Sequence, residues 1–199
     1  MRFDSLDLLA PLFFAAAGLV IASGIEKLRR PGPAARALRA VRLPSGVWTA
    51  RAIGIVEVLV GLLSMFAPSP WSAGALAILY AAFAAFLVLL IRAKAPGATC
   101  GCMGSQEAPP SLLHLGLDVA AATTAGVVAL APPAGIVSFS TRLPLFGFAF
   151  LLGTALIAYL AYLVAAYLPQ VFSSYAGRRS ESDRTIAGRP FAARPRESA

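Results

Sequence analysis

Long apolar runs alternate with short polar breaks along this chain. Five runs reach or approach the length of a membrane span: Leu8–Ile25, Ala52–Ala67, Ala73–Ile91, Leu112–Ala131 and Pro144–Leu168. A helix needs about 20 apolar residues to cross a bilayer. In lipid only helices and closed barrels satisfy their own backbone hydrogen bonds. The runs lack the apolar–polar alternation of barrel strands. The pattern predicts an all-α, polytopic transmembrane helical bundle of five helices. No repeat of the kind that builds a solenoid or an inverted-repeat transporter is visible. A signal peptide competes for the first run. Its head would be basic, whereas here Arg2 stands against Asp4 and Asp7, so a retained helix is the better reading.

The breaks differ in character. Residues 26–51 are basic and contain prolines. Pro68-Ser69-Pro70 reads as a tight turn. Residues 92–111 carry both cysteines, after Pro96-Gly97 and before Pro109-Pro110, and residues 132–143 open with Pro132-Pro133. From Ser173 the chain is rich in Arg, Ser, Ala and Pro and too poor in apolar surface to pack, which predicts a disordered basic tail. The organisation expected is four transmembrane helices over residues 1–131, a fifth over 132–172 and the tail over 173–199.

Composition excludes a soluble domain. Charged residues make up 13% of the chain, about half the usual share of a soluble domain. The net charge of +8 acts as a topology signal. Basic residues near helix ends stay in the cytoplasm. Of the 17 basic residues, only Arg2 and Arg142 fall outside the first loop, the cysteine loop and the tail. With five spans, the amino end is expected outside and the carboxyl end in the cytoplasm of a bacterial-type plasma (inner) membrane. The bilayer is the partner this charge implies, with added attraction to anionic lipids. Nucleic acid is not, because no compact soluble domain presents the charge.

The candidate chemistry centres on Cys100-Gly101-Cys102, the chain's two cysteines. Gly101 lets the backbone bend enough for a disulfide between residues two apart. Such a small ring is strained, and strained disulfides are the reducible, catalytic kind. Two thiols do not close a structural zinc site, which wants four ligands. The alternatives are a copper(I) site from the soft donors Cys100, Cys102 and Met103, or a pair with a structural role or none. No Ser-His-Asp set, phosphate loop or metalloprotease motif is present. No motif implies a cofactor; a quinone is the candidate electron acceptor.

Polar residues gather on the side of the cysteine loop. Glu57 and Asp118 each lie about six residues into their runs from that side, roughly 9 Å deep. Glu26 and Lys27 close the first run there. His114 and Asp118, four apart, share a helix face. Charges within a membrane usually face a bundle interior or a functional site. The spacing suggests pairing of Lys27 with Glu57 and of His114 with Asp118. It makes Glu57, His114 and Asp118 the supporting polar layer beneath a Cys100/Cys102 redox pair. The plainer alternative is that these side chains snorkel to water. Gly54 and Gly61 flank Glu57 and allow close helix contact, which favours a protein-facing Glu57.

The sequence resembles a known family. The first helix ends Ala-Ser-Gly-Ile-Glu-Lys-Leu, and Arg-Ala-Leu-Arg-Ala-Val-Arg-Leu-Pro follows. The second helix carries Val-Glu-Val-Leu-Val-Gly-Leu, and the third leads into Thr-Cys-Gly-Cys-Met-Gly-Ser. Together these resemble the methylamine utilisation protein MauE family, a branch of the DoxX-like membrane proteins, over about residues 8–131. The family's usual loop has Phe where this chain has Met103. Four helices are typical, so the fifth helix and the tail look like additions. The resemblance implies maturation of the disulfide-rich small subunit of methylamine dehydrogenase, alongside a thioredoxin-like partner. It also implies that Cys100 and Cys102 are the redox pair. Methylamine itself does not carry over, because family members occur without that metabolism.

The function expected is support of thiol–disulfide exchange or maturation of a partner redox protein. A non-enzymatic assembly subunit of a respiratory or dehydrogenase complex is the first alternative, and a copper(I)-binding membrane protein the second. One conflict stands. The family role concerns a periplasmic substrate, whereas the charge pattern puts the cysteine loop in the cytoplasm.

Overall fold

The computed structural model describes residues 9–93, 111–137 and 147–164. Cys100, Cys102, Met103 and the basic tail lie outside the described residues. Six helices are described: α1 (Ala10–Arg29), α2 (Pro31–Ala40), α3 (Val47–Phe66), α4 (Pro70–Ala93), α5 (Leu112–Val128) and α6 (Gly147–Val164). No strand occurs among the described residues. Helices α1, α3, α4 and α6 are long and apolar enough to cross a membrane, and α5 is a shorter apolar helix of 17 residues. The chain is an all-α, multi-pass membrane protein.

Residue pairs fix the helix directions. Gly24 meets Gly54, while Ala17 and Ile21 meet Gly61. As numbers rise along α1 they fall along α3, so the two run antiparallel. Along α4 and α1 they rise together: Tyr80 bonds Ala16, and Phe83 faces Lys27. Beyond α5, Gly135 lies against Phe66 and Pro68 at the α3–α4 turn. The end of α5 is therefore on the same side as that turn. The ends of α1 and α4 and the starts of α3 and α5 share the opposite side, where the cysteine loop joins α4 to α5.

The shared core is apolar and tightly interlocked. Phe13, Phe14, Val20, Leu76 and Val128 are almost wholly buried within it. Edge-on ring pairs, Phe13 with Phe14 and Phe14 with Phe150, tie α6 to α1. Around the core lies a shell of exposed Leu, Ile, Val and Phe, densest on α3 (Ile55, Val56, Leu59, Leu63, Phe66) and α6 (Phe148, Leu152, Leu156, Leu160). A shell of this kind suits lipid, where apolar side chains need no cover. Trp48 opens α3 on the cysteine side and Trp71 opens α4 on the other, 79% and 88% exposed. Trp is enriched at the two water–membrane interfaces.

The structure revises two parts of the loop reading. The basic break at 26–51 contains helix α2. Pro31 occupies its first position, where a missing N–H costs nothing. Ala34, Ala35, Ala37 and Leu38 turn inward, with Ala34 and Ala35 packed on Ala50, while Arg36 and Arg39 stay exposed. Leu43 N–H donates to the Leu38 carbonyl at 3.0 Å, and Arg42 N–H to that of Arg39 at 3.0 Å. These two bonds form a Schellman stop, built with Arg42 at φ 59° where glycine is usual. The second expected span also begins earlier than its apolar run, at Val47 rather than Ala52.

Two serine caps set the starts of α4 and α5. Ser69 and Ser72 bond reciprocally, Ser72 N–H to Ser69 Oγ at 3.1 Å and Ser69 N–H to Ser72 Oγ at 2.9 Å. This is the capping-box pattern, with Pro70 in the first helical position. Ser111 caps α5 by accepting from the His114 N–H.

Candidate functional site

The α1–α3 seam is set by glycine. A Cβ added at Gly54 would lie 2.8 Å from the Gly24 carbonyl oxygen, and one at Gly24 would lie 2.6 Å from that of Gly54. A Cβ at Gly61 would lie 2.9 Å from the Ala17 carbonyl oxygen. Close backbone approach needs small residues here. Gly54 and Gly61 were legible as contact residues, whereas Gly24, the partner of Gly54 across the seam, was missed.

That approach brings Lys27 of α1 onto Glu57 of α3. The ammonium sits across the carboxylate, 2.8 Å from Oε1 and 2.9 Å from Oε2. Only the contact to Oε2 is well directed, so Oε1 receives charge but no hydrogen bond. Lys27 also donates to Ser23 Oγ, one turn back, at 2.6 Å. Lys27 is 5% exposed and Glu57 is 0%. Nζ stands 5.5 Å from the centre of the Phe83 ring, within cation–π range. Glu57 is thus paired in the bundle interior and does not snorkel. It sits near the middle of α3, deeper than its run suggested, because α3 begins at Val47.

His114 and Asp118 are arranged differently from the expected pair. His114 is buried, and its Nδ1 lies 2.9 Å from Ser111 Oγ. Its partner is the cap residue, and no hydrogen bond joins it to Asp118 among the described residues. Asp118 is half-buried and lies within electrostatic reach of Lys27 and Tyr80. Both residues nevertheless face one cavity of about 230 Å³ bounded by α1, α4, α5 and α6. Ser23, Tyr80 and Phe83 face it too. Sequence spacing placed His114 and Asp118 on one face of α5. It held no signal that Ser23, Tyr80 and Phe83 stand opposite, because that depends on how α1 and α4 pack.

The structure therefore joins Lys27, Glu57 and Ser23 in one cluster and sets His114 and Asp118 beside the adjoining cavity. Cys100 and Cys102, and with them the alternative copper donors including Met103, lie outside the described residues. Among the described residues no group of three His, Cys, Asp or Glu is placed to hold a metal ion.

Neither the curated proteins nor the solved structures offer a match to this chain. The family model described as methylamine utilisation protein MauE matches residues 5–131, which include α1 to α5, the buried ion pair and the cysteine loop. With well over half its length matched, the chain belongs to the methylamine utilisation protein MauE family.

Proposed function

We propose that this protein carries out thiol–disulfide exchange through Cys100 and Cys102, in support of the maturation of a partner redox protein. The observation that carries the reading is that its two cysteines, one glycine apart, lie within the stretch matched to the MauE family. A thioredoxin-like protein is the partner whose chemistry fits. A partner thiolate attacks one sulfur of the Cys100–Cys102 disulfide and forms a mixed disulfide. A second partner thiol then attacks that bond. The partner leaves with a new disulfide, and Cys100 and Cys102 take up two electrons and two protons as thiols. Strain in the small Cys-Gly-Cys ring favours this direction.

Ser111 supports the reading at the loop's far end. Its cap fastens the chain onto α5, ten residues or fewer from Cys102, beside His114. The membrane side belongs to the proposal as well. The basic residues favour a plasma (inner) membrane topology with the amino end outside and the carboxyl end in the cytoplasm.

The test is acid trapping of cells followed by mass-tagging of thiols. A disulfide that appears and disappears with growth redox conditions is expected. Variants Cys100→Ser and Cys102→Ser, tested singly, are expected to accumulate a mixed disulfide with the partner in one case and not the other. Cysteines that stay reduced under every condition would defeat the proposal.

A further inference from the structure

The cavity beside the polar layer has a shape and a polarity gradient of its own. On α1 its wall runs from Leu12 to Ser23, and on α5 from His114 to Thr124. Those stretches are each about 15 Å long at the helical rise. The cavity is therefore a slot lying along the helices. Because α1 ends and α5 begins on the cysteine side, Ser23, His114 and Asp118 all stand at that end. The other end is formed by Leu12, Ala16, Ala121 and Thr124. Leu12 is 43% exposed, so the apolar end borders the outer shell of the bundle.

The polar end selects among amphiphiles. Asp118 accepts no hydrogen bond among the described residues, and its carboxyl group offers no positive charge to an anionic head such as a fatty-acid carboxylate or a phosphate. The charge of Lys27 is balanced by Glu57, so that pair presents no net cation to such a head. His114 has Nδ1 engaged by Ser111, which leaves Nε2 for another partner. Tyr80 and Phe83 line the slot next to these groups, with rings edge-on to each other at 5.8 Å. The slot thus suits a flat, neutral, hydrogen-bonding ring. An apolar cavity of about 150 Å³ is enough for benzene; this one, at about 230 Å³, has room for a substituted ring, whose tail leaves past Leu12 into lipid.

We infer that the slot among α1, α4, α5 and α6 binds the ring of a membrane quinone, with its carbonyl or hydroxyl oxygen between His114 and Asp118. A quinone gains two protons when it is reduced and loses them when it is oxidised, so its head needs proton-exchanging groups beside it. His114 and Asp118 are such groups. The use of the site, though not its existence, rests on the thiol–disulfide reading. The dithiol form of Cys100 and Cys102 gives up two electrons and two protons as its S–S bond forms. The quinone takes them and leaves as quinol.

The test uses the full chain in nanodiscs, with a photoreactive azidoquinone as label and decylubiquinone as competitor. Saturable labelling of peptides from α1 and α5 is expected, reduced at least tenfold by decylubiquinone and not by palmitate. Ala121→Phe, which fills the slot, is expected to lower labelling at least tenfold. Ala121→Ser, which leaves it open, is expected to retain labelling within about twofold. The inference is overturned if labelling is not saturable, if the two Ala121 variants behave alike, or if dodecyltrimethylammonium or palmitate displaces the label better than decylubiquinone. The Cys100→Ser/Cys102→Ser variant separates the two readings. Labelling retained there, with cysteines that never oxidise in the native chain, defeats the exchange proposal alone. Cysteines that cycle in a chain that takes no label defeat the quinone site alone.

Discussion

Lys27 and Glu57 show how much one buried contact decides. Each ion costs several kcal/mol to remove from water, and their attraction repays this only while both are present. Glu57→Gln leaves an unneutralised ammonium beside Phe83. It is expected to cost about 3–5 kcal/mol, read as a lower midpoint in denaturant titration of the purified protein. The double replacement Lys27→Met/Glu57→Leu removes both charges and is expected to recover most of that loss. A double variant as weak as Glu57→Gln would mean that the site needs the charges for more than mutual neutralisation. The pair was legible in the sequence because Lys27 closes one apolar run and Glu57 interrupts the next. Ser23 was not: a serine in an apolar helix carries no sign that an ammonium will lie 2.6 Å away. The expected bond between His114 and Asp118 is replaced by one to Ser111. A helix start leaves backbone donors unpaired, and the serine that caps them also meets the histidine three residues on.

At the scale of elements, the α1–α3 seam and the α2 stop each make a prediction. Gly54→Ala puts a methyl group 2.8 Å from the Gly24 carbonyl oxygen. Neither helix backbone can give way without parting the seam, so a loss of about 1–3 kcal/mol is expected. Gly116→Ala is the control. Nothing lies within 4 Å of the added carbon, and glycine is a poor helix former, so a gain of about 0.5–1 kcal/mol is expected. Equal effects in the two variants would remove the seam argument. Arg42→Gly relieves a left-handed backbone position and is expected to gain about 1 kcal/mol, measured in the same titration. Helix α2 escaped the sequence reading because Pro31-Gly32-Pro33 and three arginines within a few residues look like a loop. Its inward face is almost all alanine. Only packing on Ala50 makes that face worth burying.

For the whole molecule, the lipid-facing shell and the two tryptophans define how the bundle sits in a bilayer. Trp48 and Trp71 are the chain's two tryptophans, so its tryptophan fluorescence reports on them alone. Lipids brominated near the headgroup are expected to quench that fluorescence more strongly than lipids brominated near the acyl terminus. The reverse order would misplace the slab. Membrane-impermeant thiol labelling in intact cells is expected to miss Cys100 and Cys102 until the membrane is opened. Labelling without permeabilisation would put the loop on the outer side and agree with a periplasmic substrate instead.

The sequence by itself determined the class of molecule: long apolar runs have no other stable form in lipid than helices. It also determined where the apolar helices lie, the family and the two glycines flanking Glu57, because each is written in local composition and spacing; it counted five spans where four helices have the full length and α5 is shorter. Tertiary structure alone decided which faces meet. It set Gly24 against Gly54, brought Tyr80 and Phe83 to face α5, and opened a slot between α1, α4, α5 and α6. These outcomes depend on helix direction, rotation and depth. Those are fixed by contacts between residues far apart in the chain, 64 positions in the bond from Tyr80 to Ala16 and more in the ring pair of Phe14 and Phe150, and no local pattern encodes them.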